Sequence, residues 1–242
     1  MLFRSSAGAT ERWFASIIAQ CDARWLAQFN GRSEESVFIC GMFRTGSTLL
    51  EQVFAAHPSF TAGGENQFFP RLVAKKLPKF PEGLENIGAQ QASAWRRKHE
   101  RHMRQLYDGK TRVTDKRPDN FLHIGLIKAV LPSAKFIVTE RDWRDVATSI
   151  YSTRLGGGQN YSTSLQNIYH YIGQQKKLVD HWQPLLGDDL VRVRYEDLVT
   201  DPRAAVGNVL ESLGEAWDER CLEFDRLRNT VQTASEIGRA HV

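Results

Sequence analysis

The segment GMFRTGST, from Gly41 to Thr48, sets a cation, Arg44, between two glycines and places two hydroxyls, Ser47 and Thr48, directly after the second. Glycines at such spacing let consecutive backbone N–H groups turn toward one point, and a helix starting there adds the positive end of its dipole. The chemistry this suits is the holding of an anion. The frame G-x-x-x-x-G-K-[ST] is met at every fixed position but one: Ser47 stands where a nucleoside triphosphatase carries lysine. That lysine is the group that reaches the β- and γ-phosphates of a triphosphate. Here the cation has moved to Arg44, whose planar fork fits a tetrahedral oxyanion such as a sulfonate or phosphate. Taken alone, the segment also fits a plain strand-to-helix turn with Arg44 in solvent.

Four further groups have the types to act with it. Glu65 follows the pair Gly63-Gly64, about twenty residues past the cradle, where a carboxylate can sit at a strand's carboxyl edge; it also fits a cap on a short helix over Asn66–Val73. Lys116, Arg141 and Tyr195 each come directly after a segment that reads as a strand. Three cations gathered at one edge repel unless an anion joins them, so Arg44, Lys116 and Arg141 ask for a ligand with two anionic groups. One belongs in the Gly41–Thr48 cradle. The other belongs near Arg141 and the hydroxyl of Ser149, two helical turns along.

The elements that must position these groups alternate in type. Val37–Cys40, Arg112–Asp115, Lys135–Glu140 and Leu190–Arg194 read as strands. Between them, helical periodicity runs over Ser47–Ala56, Ala89–Leu106, Asn120–Val130, Arg141–Tyr151 and Ser162–Trp182, with another helix from Asp201-Pro202 to Leu213. The order predicts an α/β fold: a P-loop-like parallel sheet flanked by helices on both faces, with ligands beyond the carboxyl ends of the strands. Ahead of it, Thr10–Phe29 reads as one helix capped by Thr10, with Trp13, Phe14, Trp25 and Phe29 on its apolar face. The basic side of Ala89–Leu106 (Arg96, Arg97, Lys98, Arg101, Arg104) reads as solvated, and Gly156–Gly158 as a break.

Composition narrows the class. The chain has 242 residues, 41% of them hydrophobic and 25% charged, as a single globular α/β domain does. A net charge of +4 is too small to argue for nucleic acid and fits the holding of an anionic small molecule. Cys21, Cys40 and Cys221 are scattered in apolar contexts, as buried thiols of a reducing compartment are. With no apolar run of membrane-spanning length and no secretion signal at MLFRSSAGATERW, a cytoplasmic protein is expected, with neither membrane nor nucleic acid as partner.

Four motifs in order, GMFRTGSTLLEQ, GGEN, DKRPDNFLHIGLIKAVLPSAKFIVTERDWRDVATSIY and RYEDLVTDP, resemble the sulfotransferase superfamily over roughly Ser36 to Phe224. The nearest branch holds the protein-tyrosine sulfotransferases and bacterial sulfotransferases with tetratricopeptide repeats. The resemblance implies 3′-phosphoadenosine 5′-phosphosulfate (PAPS) as donor, with its 5′-phosphosulfate on Arg44–Thr48, its 3′-phosphate on Arg141 and Ser149, and Tyr195 as a further donor contact. It implies Glu65 as the base that takes the acceptor's proton and Lys116 as the cation near the bridging oxygen. No metal is needed, since the leaving group is already a stable phosphate. The acceptor stays open among a peptide tyrosine, a sugar hydroxyl and a small alcohol. Two other readings stand beside this one: a P-loop kinase or nucleotidase, which the missing lysine opposes, and a nucleotide-binding module without turnover.

Some residues depart from the branch. Phe43 replaces the usual proline, and Thr153 stands where a second arginine is expected, with Arg154 one step further. The organisation expected is an N-terminal helix and linker over 1–35, a sulfotransferase domain over 36–235, and a tail over 236–242. The first helix resembles the connector that follows tetratricopeptide repeats. The tail EIGRAHV can be back-translated as GAG ATC GGA AGA GCA CAC GTC, the start of a widely used sequencing-library adapter. It is therefore expected to be foreign, with the natural chain continuing past Ser235.

Overall fold

The computed structural model describes residues 7–106, 112–153, 155 and 159–226. Gly156–Gly158, Arg154 and the tail Glu236–Val242 lie outside the described residues. The chain opens with α1 (Ala7–Gln20) and α2 (Ala23–Leu26), then β1 (Val37–Gly41), α3 (Ser47–Ala56), β2 (Phe60–Ala62), α4 (Phe68–Lys76) and α5 (Ala89–Arg104). It continues through β3 (Arg112–Lys116), α6 (Ile124–Val130), β4 (Lys135–Glu140), α7 (Trp143–Thr153), α8 (Leu165–Leu186), β5 (Leu190–Arg194), α9 (Tyr195–Thr200) and α10 (Pro202–Ser212).

The five strands form one parallel sheet in the order β2-β3-β1-β4-β5. β1 is central, with Val37 opposite both Thr114 and Lys135. Its residues alternate between two cores, as the pleat requires. Phe38 and Cys40 face one side with Phe136 and Val138, under Phe14, Trp25, Trp95, Ile127 and Trp182 of the surrounding helices. Val37 and Ile39 face the other with Ile137 and Val193, under Leu50 and Phe54 of α3 and Val206 and Leu210 of α10. Both faces are covered, so the strands read as continuous apolar runs.

Several boundaries differ from the sequence reading, each for a local reason. The single helix over Thr10–Phe29 is two. The first already runs from Ala7, so Thr10 is inside it, and it ends at Gln20. Asp22 then caps the second by accepting the Trp25 amide at 2.7 Å. Both pieces pack on the main domain, Phe14 stacking on Phe121 and His181 Nε2 lying 2.9 Å from the Cys21 carbonyl. Residues Pro118–His123 form a 3₁₀ turn, and the α-helix starts only at Ile124. β2 has three residues, too few to show a period. α9, only six residues long, separates β5 from α10. Among the described residues, no helix is long and apolar enough to cross a membrane. All three cysteines are free and buried, and burial pushes the Cys21 thiol up to about 12 and the Cys221 thiol to about 11.

Candidate active site

The carboxyl ends of all five strands deliver a residue singled out above. β1 runs into the cradle, and its last residue must be glycine. Gly41 has φ 146°, and a Cβ there would lie 2.4 Å from the Thr139 carbonyl oxygen of β4. Arg44 itself sits in the left-handed region, φ 72°, which costs a non-glycine residue on the order of 1 kcal/mol. Gly46 has φ 92°, and a Cβ there would meet the Tyr195 ring at 2.6 Å. The loop is closed by Thr45, whose hydroxyl lies 2.7 Å from both the Met42 carbonyl and the Thr139 hydroxyl. That hydroxyl is thus spent on the turn, and only the Thr45 backbone is left for a ligand. Ser47 and Thr48 open α3, where the amides of a helix's first turn have no partner within it. The loop therefore leads from β1 into α3 with its glycine positions free of side chains and the first amides of α3 open.

Arg44 is half-buried. Its Nε donates to the Ser149 hydroxyl at 2.9 Å, which ties the cradle to the second turn of α7. Arg141, directly past β4, donates from Nη1 to the Arg44 carbonyl at 3.4 Å and stacks its guanidinium 4.4 Å above the Tyr195 ring. Its Nε is buried without a hydrogen-bond partner. A second distal nitrogen meets Asp145, one turn along α7, at 3.3 Å. Tyr195 begins α9 straight off β5 and is wedged between Gly46 and Arg141. Arg44, Arg141, Ser149 and Tyr195 therefore form one cluster. Thr153 ends α7 with its hydroxyl donated to the Ser149 carbonyl at 2.7 Å.

On the other flank, β3 delivers Lys116. Its side chain is fully buried and its ammonium lies 3.1 Å from Glu65 Oε1, whose own side chain is 31% exposed. Glu65 does not cap α4: the N-cap position is Gln67, without a side-chain cap, and Asn66 ahead of it accepts the Phe68 amide at 2.8 Å. A third charged group, unremarked in the sequence, stands behind them. Glu51 of α3 is 3% exposed, and its Oε1 accepts the Gly64 amide at 3.0 Å and the Thr114 hydroxyl at 3.1 Å. Burial raises its pKa above the ordinary value, and the Lys116 charge, the Gly64 amide and the Thr114 hydroxyl pull it partly back. Burial likewise lifts Asp115, beside Lys116, well above the carboxylate range despite a 3.1 Å bond from Asn120.

The two histidines nearest in sequence serve the fold. His57 uses both ring nitrogens, on the Ala216 carbonyl at 2.9 Å and the Ser59 amide at 3.1 Å. His123 is buried against Phe80 and held down to about 4 by that burial. Among the described residues, no group of three or more His, Cys, Asp or Glu is placed to hold a metal ion. Two recesses open on these loops. One of about 470 Å³ is mostly apolar and includes Phe43, Trp13, Phe121, Tyr161 and Tyr171 in its walls. Another of about 490 Å³ runs from Gly63 and Asn66 past Arg71, Lys75, Lys98 and His102.

The sequence profile of the sulfotransferase family matches residues 36–219, which takes in every strand and the whole cluster. The chain belongs to the sulfotransferase family. An uncharacterised protein of Aquifex aeolicus is 27% identical over 216 residues, 84% of this chain and 28% of its own length. Protein-tyrosine sulfotransferase A of Caenorhabditis elegans is 25% identical over 218 residues, 86% of this chain and 57% of its own. The chain thus spans less than two thirds of the length of these relatives. In fold it is similar to the sulfotransferase domain of the Synechococcus PCC 7002 olefin synthase, with a TM-score of 0.62 and 22% identity, covering 84% of this chain and 81% of that one. The sulfotransferase domain of the curacin biosynthetic pathway is equally similar, with a TM-score of 0.62 and 19% identity, over 85% and 83%.

Proposed function

We propose that this sulfotransferase-family chain moves a sulfuryl group from PAPS to an acceptor hydroxyl, with Glu65 as general base. The observation that carries the reading is the meeting of an anion cradle and a second arginine cluster on one flank with a base-and-lysine pair on the other. The residues present fit the donor. Gly41 and Gly46 keep the cradle free of side chains, and the unpartnered Arg141 Nε is a buried donor awaiting an acceptor. Arg44 and the first amides of α3 hold the 5′-phosphosulfate. Arg141 and Ser149 hold the 3′-phosphate, and Tyr195 keeps Arg141 in place from the far side.

Glu65 accepts the proton of the acceptor hydroxyl as its oxygen forms a bond to sulfur. The bond from sulfur to the bridging oxygen breaks, and the electron pair leaves with adenosine 3′,5′-bisphosphate. Protonation neutralises Glu65 and frees the Lys116 charge at the moment when negative charge grows on the departing phosphate. Base catalysis of this kind contributes about 10²–10⁴-fold, and orientation on the cradle adds to it. The acceptor class follows from which recess is used: the aromatic one beside Phe43 suits a flat apolar alcohol, and the basic one beside Gly63 an acidic chain.

The deciding experiment has two arms. Calorimetry should show binding of adenosine 3′,5′-bisphosphate well above that of ATP. Mass spectrometry of peptide, sugar and phenol mixtures incubated with the protein and PAPS should show a sulfated product. Preference for ATP over the bisphosphate would refute the reading.

A further inference from the structure

Helix α3 does two things at once. Its first turn, Ser47 and Thr48, closes the cradle, and one turn later it carries Glu51, a carboxylate with almost no exposure. Nothing in the donor reading uses Glu51, yet a buried charge needs a partner or a purpose. Its partners are specific. Oε1 accepts the amide of Gly64, the residue before Glu65, and the hydroxyl of Thr114 on β3, two residues before Lys116. The Gly64 carbonyl in turn accepts the Lys116 amide at 2.9 Å. The turn is held against β3 from a second side, since a Cβ on Gly63 would lie 2.1 Å from the Thr114 carbonyl oxygen.

We propose that Glu51 is the positioning residue for the base: by gripping the Gly64 amide, it fastens the turn carrying Glu65 to the helix that opens at the cradle. The inference rests on Glu65 being the base. It deepens that reading by saying what fixes the distance between base and donor. A rigid helix sets it, not only the chain from Ala56 through β2 to Glu65. Sites supported in this way hold their geometry, and a misplacement of about 1 Å is enough to cost on the order of 10²-fold in rate.

The test needs three variants of the full chain: Glu51→Ala, Glu51→Gln and Glu65→Gln, with the double variant Glu51→Ala/Glu65→Gln. Hydrogen exchange reads the clamp without any acceptor. The Gly64 amide should be protected in the wild type and in Glu51→Gln, whose amide oxygen still accepts, and should exchange freely in Glu51→Ala. Adenosine 3′,5′-bisphosphate affinity, read by calorimetry, should stay within about threefold, because the cradle lies a turn away. With PAPS and 4-nitrophenol, kcat of Glu51→Ala should fall by roughly 10–10²-fold while KM for PAPS holds, and Glu51→Gln should recover most of the loss. In the Glu65→Gln background the Glu51→Ala change should cost little more, as expected of residues acting through one group.

Unchanged Gly64 exchange in Glu51→Ala overturns the proposal, as does a Glu51→Gln enzyme no better than Glu51→Ala. A fully additive loss in the double variant, with Glu65→Gln itself impaired, overturns the positioning role alone. Full turnover in Glu65→Gln removes the base assignment and the positioning role with it.

Discussion

Glu65 and Lys116 share one short contact but have opposite exposures, and that asymmetry governs what each substitution does. Glu65 reaches solvent, so Glu65→Gln should keep the fold, keep adenosine 3′,5′-bisphosphate binding, and lose transfer by about 10²–10⁴-fold. A binding isotherm and a turnover assay on the same preparation check both halves. Lys116 is fully buried, so truncating it leaves a cavity in the core as well as removing the partner of Glu65. Lys116→Ala should therefore be seen first as a lowered melting temperature. On the proposed reading Arg141 meets the 3′-phosphate of the donor, so Arg141→Ala should weaken adenosine 3′,5′-bisphosphate by on the order of 1.5–3 kcal/mol and adenosine 5′-phosphate far less. Equal losses for the two nucleotides would place Arg141 away from the 3′-phosphate. The candidate site residues that follow a strand or a glycine turn could be read from sequence, because strand ends and φ-positive positions leave a local signature. Glu51 could not. Its partners, Gly64 and Thr114, belong to other elements, and a glutamate inside GSTLLEQ looks like any helix-surface residue.

At the level of elements, the cradle depends on two contacts between elements, Gly41 on Thr139 and Gly46 on Tyr195. Gly46→Ala would have to displace the Tyr195 ring and adopt φ 92° with a Cβ present, a strain on the order of 1–3 kcal/mol. The expected readout is loss of bisphosphate affinity with a smaller loss of stability, since Tyr195 is what holds Arg141 from beneath. Strands β1, β3, β4 and β5 and helix α3 were legible because they are long enough for apolar runs or periodicity to show, and α3 was bounded by Gly46 and His57-Pro58. Three-residue β2 and six-residue α9 fall below that length. The break between α1 and α2 was hidden because Asp22 lies in step with an apolar face that continues through it, and only the capping bond to Trp25 reveals the interruption.

For the molecule as a whole, buried histidines and carboxylates oppose each other in the response to pH. His99 is fully buried among Phe38, Phe68 and Phe69, neither ring nitrogen has a hydrogen-bond partner, and burial, followed by His102, holds it down to about 3. The unfolded chain therefore takes up a proton near pH 6.5 that the folded chain refuses, and stability falls as pH drops through that window. Glu51 and Asp115 are shifted upward, so the folded chain binds their protons first and they act in the contrary sense. Replacing His99 isolates one arm. His99→Leu should gain about 2 kcal/mol more at pH 5 than at pH 8, measured by urea unfolding, and equal gains at the two values would show that His99 titrates in the folded state. The strand order has a consequence for how the chain is made. β1, emerging early, pairs with β3 and β4, which are not yet synthesised when it appears, so its hydrogen bonds wait on contacts of long sequence separation that form slowly. During that interval the segment Val37–Gly41 is an unpaired apolar edge, the kind of surface that draws chaperones or aggregates. The cradle at its end cannot be set until β4 arrives with Thr139. Donor product added to a refolding reaction should thus report on the final assembly of the sheet and on nothing earlier.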